Sequence, residues 1–262
     1  MTSVLFDLDG VFYQGNQLIP GAVETLSWIK THNIPYLFVT NTTSRSRKAL
    51  QEKFSALGLE IDEFHLLTPP LAAVQWLKEN INQQPVALYV PEVTKSEFSE
   101  LTLWSHGKAN PAAIVMGDLG EGWSFTVLNQ IFRLLMADTR PVLIALGMTR
   151  YWQADDGLRL DVAPFVIALQ HASGVIPLVL GKPDGLFYQA ALKMLGSKAE
   201  QTLMVGDDIR GDIEGAQQAG LNAILVRTGK FRSVDLEQGI KPDAVIDSIK
   251  DFPQWWQENI SR

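Results

Sequence analysis

Short apolar runs alternate along the chain with longer stretches in which apolar positions recur at helical spacing. The runs predict buried strands and the spaced stretches predict helices. Val4-Leu5-Phe6 predicts the first strand. A polar loop follows from Tyr13 to Leu18. Pro20 then opens a helix that carries Val23, Leu26, Trp28 and Ile29 on its apolar face and stops at Asn33. Ile34 to Val39 predicts a second strand, and Ala49, Leu50, Phe54 and Leu57 mark a second helix closed by Gly58. Strand, helix, strand, helix in that order favours a parallel sheet.

The middle of the chain repeats the rhythm. A helix after Pro69-Pro70 carries Leu71, Val74, Trp76 and Leu77. Strands are predicted at Val86 to Val90, Ala112 to Met116 and Val142 to Leu146, with a helix around Phe98 and another from Phe125 to Met136. Gly147 to Asp161 is polar, contains Asp155-Asp156-Gly157 and reads as a loop or short hairpin. Pro164 opens a helix that ends near Gly174. The last part begins with a strand at Leu178-Val179-Leu180, which leads into Gly181-Lys182-Pro183-Asp184. A helix with Phe187, Ala191, Met194 and Leu195 stops at Gly196. Leu203 to Val205 is a strand, a helix begins at Asp212 and runs to Gly220, and Ala223 to Val226 and Ala244 to Ile246 are further strands. The tail, with Trp255 and Trp256, docks as a helix. The pattern divides the chain into a discontinuous core, residues 1–68 and 180–262, and an α/β insert, residues 69–179.

Composition narrows the function. With 262 residues, 46% hydrophobic and 19% charged, the chain can bury a large core. A net charge of −7 argues against a nucleic-acid partner or an anionic membrane surface. It leaves room for a small anionic substrate, because a bound metal ion reverses the local field. There is no cysteine, which excludes disulfides, thiolate metal ligands and a cysteine nucleophile. No leader-like apolar stretch precedes Val4, and no run approaches the length of a membrane span, so a cytoplasmic location is expected.

The chemistry gathers where predicted strands end. Asp7 and Asp9 follow the first strand and precede Gly10. On an extended chain residues two apart face the same way, so both carboxylates can enter one crevice. Thr40 and Asn41 end the second strand, Lys182 follows the strand at Leu178, and Asp207, Asp208 and Asp212 follow Gly206. Parallel strands put their carboxyl ends on one edge, where ligands of open α/β sheets bind. Each group alone has a plainer reading. Asp-x-Asp-Gly suits a turn, Thr40 suits a helix N-cap, and Lys182 suits a solvated surface. Asp207, Asp208 and Asp212 suit the first turn of a helix. The order of all four groups, each at a strand end, is what carries the functional reading.

That order resembles the four signature motifs of the haloacid dehalogenase superfamily. The motifs are Asp7-x-Asp9-Gly10, the hydroxyl of Thr40, Lys182 before a proline, and Gly206-Asp207-Asp208 with Asp212. The insert between the second and third motifs resembles the type IIA α/β cap of the nitrophenyl-phosphatase-like and N-acetylglucosamine-operon phosphatases. Further stretches resemble the group around HAD-like hydrolase domain-containing protein 2 and phospholysine phosphohistidine inorganic pyrophosphate phosphatase. They are Phe38 to Thr43, Leu128 to Leu135, Arg150-Tyr151-Trp152 with Asp156-Gly157-Leu158, and Gly206 to Asp208. Where that group tends to have Leu-Gly-Pro-Gly, this chain has Leu160-Asp161-Val162-Ala163-Pro164.

The resemblance implies an α/β fold with a Rossmann-like parallel-sheet core and an inserted cap. It implies a Mg²⁺-dependent phosphatase for small phosphomonoesters. Asp7 would be the nucleophile and Asp9 the general acid and base. Thr40, Asn41 and Lys182 would hold the phosphoryl oxygens. Asp7, Asp207 and the backbone carbonyl of Asp9 would hold the metal, with Asp208 and Asp212 supporting from outside the coordination sphere. A homodimer joined through the cap is compatible with the resemblance. His106, Arg150, Trp152 and Asp156 are candidates for touching the leaving part of a substrate. His171 reads as structural, and Trp28, Trp76, Trp104 and Trp123 read as packing. Two alternatives stay open from sequence: phosphotransfer to an acceptor other than water, and a silent binding protein with this fold.

Overall fold

The computed structural model describes residues 2–154 and 156–260, so Asp155 of the predicted acidic loop lies outside the described residues. The chain divides into two compact units. The first comprises Met1–Thr40, Arg47–Leu67 and Lys182–Arg262, and the second Asn41–Ser46 with Thr68–Gly181.

The first unit is built on a six-stranded parallel sheet. Its strands run, edge to edge, Ala244–Ile246, Asn222–Val226, Thr202–Gly206, Ser3–Asp7, Tyr36–Val39 and Leu66–Leu67. Ser3–Asp7 is buried along its whole length, as expected of a strand covered on both faces. The chain builds outward from this strand in one direction through Tyr36–Val39 and Leu66–Leu67. It later returns to the other side with Thr202–Gly206. Strand order therefore reverses at Ser3–Asp7.

Aromatic rings fix the packing around this strand. Phe6 meets Phe12 and Phe252 edge-on at 5.4 and 5.2 Å, and Phe12 meets Phe38 at 5.0 Å. Phe252 opens the tail helix Phe252–Asn259, which also buries Trp256. The helix Ala22–Thr31 buries Ala22, Thr25, Leu26 and Ile29. Val23, expected on that face, is 43% exposed, because the buried stripe runs through positions 22, 25, 26 and 29 and Val23 lies about 100° away from Ala22 around the helix. Tyr13 to Leu18 is a two-stranded hairpin rather than a loop: Tyr13 pairs with Leu18, both pack toward the core, and only the turn between them is solvated.

The second unit has a four-stranded parallel sheet in the order Leu178–Val179, Val142–Ala145, Ala113–Met116 and Val86–Tyr89. Its core is lined by Ile114, Met116, Ile131, Leu135, Leu143 and Val166. The segment around Phe98 is a tight 3₁₀ turn, Glu92–Phe98, which still buries Phe98. Tyr151–Ala154 and Gly157–Leu160 pair as an antiparallel hairpin. The strand Leu178–Val179 pairs with Val142–Ala145 in this sheet and not beside Ser3–Asp7. Lys182 therefore does not follow a strand of the six-stranded sheet. Among the described residues no helix is long and apolar enough to cross a membrane.

Candidate active site

The site lies where the strand order of the first unit reverses, the position at which open α/β sheets form a crevice. Register aligns its parts. Asp7 ends the central strand and pairs with Val39, one residue before Thr40. On the other flank Phe6 pairs with Val205, which leaves Asp207 just beyond the paired strand end. Asp7, Thr40 and Asp207 are each no more than 6% exposed.

Lys182 enters this edge from outside the sheet. Its Nζ donates to Asp7 Oδ1 and to Asp212 Oδ1, both at 2.7 Å, with side chains that are almost fully buried. Asp212 is fixed at its other oxygen, where Oδ2 accepts the backbone N–H groups of Asp207 (3.2 Å) and Asp208 (3.1 Å). The close fit needs Gly206: a Cβ there would lie 2.2 Å from Asp212 Cβ.

The segment that carries Asp212 is a π-helical turn, Ile209–Glu214, rather than the start of an α-helix. Such wide turns recur at functional sites. Asp208 caps it, with Oδ1 accepting from Arg210 N–H at 3.1 Å and Gly211 N–H at 2.9 Å. The buried Tyr188 hydroxyl donates to the carbonyls of Gly211 (2.9 Å) and Asp212 (3.1 Å). The cap holds the entry of the widened turn, and the tyrosine adds a donor to two of its carbonyls.

Charge is crowded here. Asp7, Asp207 and Asp212 each offer an oxygen within 4.8 Å of the others, and all three are buried. Burial, then the charges of Asp7 and Asp212, raise the Asp207 carboxyl above the usual range. Burial also raises Asp212, and Lys182 only partly opposes it. For Lys182 burial works against the charge, but Asp212 and Asp7 outweigh it and hold the ammonium above its ordinary value. For Asp208 burial is outweighed by the Gly211 N–H and by Lys230, which lower its carboxyl.

One lysine against three carboxylates leaves this pocket short of positive charge. Asp207 Oδ1 is buried without a hydrogen-bond partner among the described residues, which is costly for a carboxylate oxygen. An all-oxygen donor set of this kind fits a hard divalent cation. Both Asp212 oxygens are held by protein donors, Oδ1 by Lys182 and Oδ2 by two backbone amides.

The structure thus brings together Asp7, Lys182, Asp207 and Asp212. Asp208 joins them through its cap and through Lys230, whose Nζ donates to Asp208 Oδ2 at 3.2 Å. Asp9 does not join. The extended geometry ends at Asp7, and the Leu8 carbonyl accepts from the N–H groups of Val11, Phe12 and Tyr13, so the chain turns and leaves Asp9 exposed. Thr40 is buried and its N–H donates to Leu67 O at 3.2 Å. Asn41 clusters with the second unit, where its Oδ1 lies 3.2 Å from the position a Cβ on Gly181 would take.

In the second unit, a His106 ring nitrogen pairs with Gln130 at 3.0 Å, and Asp156 pairs with Arg159 at 2.7 Å. Arg150 lies 6.0 Å over the Tyr151 ring, and Trp152 is 42% exposed. Trp123 stacks on Phe165 at 4.5 Å, Trp104 meets His106 edge-on, and Trp28 packs against Phe252. Trp76 is half-buried. His171 sits on the exposed side of its helix, outside any packing role.

Sequence reasoning overlooked the loop after Asn222–Val226. The Lys230 N–H donates to Asp207 Oδ2 at 2.6 Å. Thr228-Gly229-Lys230 is again a small polar cluster beyond a buried parallel strand, so the signal used for the other groups was present there.

A haloacid dehalogenase-like hydrolase model matches residues 4–103, and a second, HAD-hydrolase-like model matches residues 179–252. The human phospholysine phosphohistidine inorganic pyrophosphate phosphatase is 38% identical over 251 residues, covering 94% of this chain and 90% of that protein. The p-nitrophenyl phosphatase from Archaeoglobus fulgidus superposes with a TM-score of 0.87 at 27% identity, covering 97% of this chain and 98% of that one. A glycerol phosphate phosphatase from Mycobacterium tuberculosis, solved in complex with calcium, superposes with a TM-score of 0.82 at 26% identity, covering 95% of this chain and 74% of that one.

Proposed function

The chain belongs to the haloacid dehalogenase-like hydrolases and is a phosphatase of that family, and from that premise we propose that it hydrolyses small phosphomonoesters by way of a phosphoryl group carried on Asp7. The observation that carries the reading is the buried set itself. Lys182 holds Oδ1 of Asp7 in place, and Asp207 turns an unpartnered oxygen into the same pocket. Asp7, Asp207 and the backbone carbonyl of Asp9 would hold Mg²⁺. Bound there, the ion would supply the positive charge that lets an anionic ester approach a carboxylate.

The steps follow from the side chains. An Asp7 carboxylate oxygen attacks phosphorus, and the bond from phosphorus to the ester oxygen breaks. Asp9, as a carboxylic acid, gives its proton to the departing alkoxide. A water then attacks the phosphorus of the acyl phosphate, Asp9 takes a proton from it, and the bond to the Asp7 oxygen breaks to release inorganic phosphate. A group that exchanges protons with both a leaving group and water must be reachable, which suits the exposed Asp9 better than a buried position. Lys182 Nζ, the Thr40 hydroxyl and the Asn41 amide donate to the phosphoryl oxygens. The insert acts as a cap that limits water during transfer.

The test is phosphate release from a panel of small phosphoesters, with Mg²⁺ and with EDTA, for wild type and Asp7→Asn. Release that needs Mg²⁺ and disappears in the variant is the expected result. Acid quench followed by borohydride reduction and mass spectrometry should place the label on Asp7. Activity that survives EDTA, or that persists in the folded variant, would sink the proposal.

A further inference from the structure

Asp207 is held in an unusual way. Two glycines with left-handed backbone, Gly10 at φ +85° and Gly229 at φ +62°, face each other across its Oδ2. A Cβ on either would lie 1.9 Å from that oxygen, and a Cβ on Gly229 would also come within 2.5 Å of Gly10 Cα. The Lys230 N–H donates to the same Oδ2 at 2.6 Å. The loop is tied down at both ends: Thr228 Oγ1 donates to the Gly10 carbonyl at 2.5 Å, and Lys230 Nζ reaches Asp208 Oδ2 at 3.2 Å. Oδ2 is thus walled and bonded, while Oδ1 is buried with no partner among the described residues.

We infer that the loop Thr228-Gly229-Lys230 is a positioning device that fixes the Asp207 carboxylate plane and selects Oδ1 as the oxygen offered to a divalent cation. Rotation of the carboxylate would break the bond from Lys230 N–H and drive an oxygen against the glycine pair. The loop acts through Asp207, to which the Lys230 N–H is bonded. Groups of this kind, one step removed from the ion, typically change metal affinity by 10–100-fold when altered. The inference rests on the proposed reading of Asp207 as a ligand, and the experiment separates the two.

The probe is Mg²⁺ alone, titrated into the metal-free full chain by calorimetry, so that the readout does not depend on turnover. Gly229→Ala is expected to raise the dissociation constant at least about tenfold. Gly196→Ala is the control. Gly196 has nearly the same backbone, φ +65°, at the end of the helix Gly185–Leu195, with nothing within 4 Å of a built Cβ. It bears the same left-handed strain and should bind Mg²⁺ as wild type does. Should Gly229→Ala fail to fold, Thr228→Val carries the test through the lost bond to Gly10, with a several-fold rise expected. A folded loop variant that binds within twofold of wild type, while Asp207→Asn loses binding, overturns the inference and leaves the ligand reading intact. Unchanged binding in Asp207→Asn overturns the ligand reading itself.

Discussion

The molecule contains two parallel sheets flanked by helices, and among the described residues only one carries a cluster of buried charge at its carboxyl edge. In the six-stranded sheet, strand order reverses at Ser3–Asp7, and Asp7, Thr40 and Asp207 stand at the ends of three adjacent strands. In the four-stranded sheet, Val86–Tyr89, Ala113–Met116, Val142–Ala145 and Leu178–Val179 follow one another in a single direction. Their ends run into Val90, Gly117, Leu146 and Leu180. Parallel strands alone do not make a site. A reversal of order opens a crevice between helices that leave on opposite faces, and the four-stranded sheet has no such reversal.

The sharpest way to break this comparison is to remove charge at matching strand ends. Asp7→Asn should cut turnover on the order of a thousandfold or more, as loss of a nucleophile does. Asp118→Asn, one residue past Gly117 at a strand end of the second sheet, keeps an oxygen for the Gly120 N–H and should leave kcat within about threefold. Steady-state phosphate release measures both. Equal losses would mean that the second sheet edge also carries chemistry.

Stability should separate the units next. Lys182→Met leaves Asp7 and Asp212 buried without their cation, and breaking such a pair costs about 3–5 kcal/mol. The second unit's Lys78–Glu100 pair is solvent-exposed on both sides, so Lys78→Met should change stability by no more than about 0.5 kcal/mol. Urea unfolding of the metal-free protein reads both. The third effect is stabilisation by metal. At a Mg²⁺ concentration about a hundredfold above its dissociation constant, the protein should gain roughly 2.7 kcal/mol, and Asp207→Asn should abolish that gain in a thermal-shift assay.

How far the sequence reveals this contrast differs by residue. The apolar run ending in Asp7 is legible because a strand buried on both faces must be continuously hydrophobic. Gly206 and Asp207 are legible for the same reason. The place of Leu178–Val179 is not, since a short apolar run says nothing about which sheet it joins, and the parting of Lys182 from the six-stranded sheet went unseen. Periodicity also misses the π-turn at Ile209–Glu214, because its cause is tertiary: Asp212 is pulled toward Lys182 and two amides, and Tyr188 fills the gap. Asp9 lies past the strand end where the chain turns, so periodicity alone does not orient it. Gly229 reads as an ordinary turn glycine until Asp207 is placed against it.

The smallest expected effect concerns two tyrosines with buried hydroxyls. Tyr188, in the first unit, donates to the carbonyls of Gly211 and Asp212 and so holds the π-turn that carries Asp212. Tyr188→Phe keeps the ring and removes a donor that both carbonyls share, although the Gly215 N–H still reaches that of Asp212. The cost should be about 1 kcal/mol, with a modest fall in kcat as the Asp212–Lys182 pair loosens. Tyr89, in the second unit, has a buried hydroxyl with no partner among the described residues, and burial alone raises its pKa to about 12. Tyr89→Phe should therefore be neutral or stabilising by up to about 1 kcal/mol, because removing an unsatisfied buried group relieves its desolvation cost. Opposite signs for the same chemical change, read by urea unfolding, would confirm that polar groups are held in the first unit for the site and merely tolerated in the second. A loss of stability in Tyr89→Phe equal to that in Tyr188→Phe would erase the distinction.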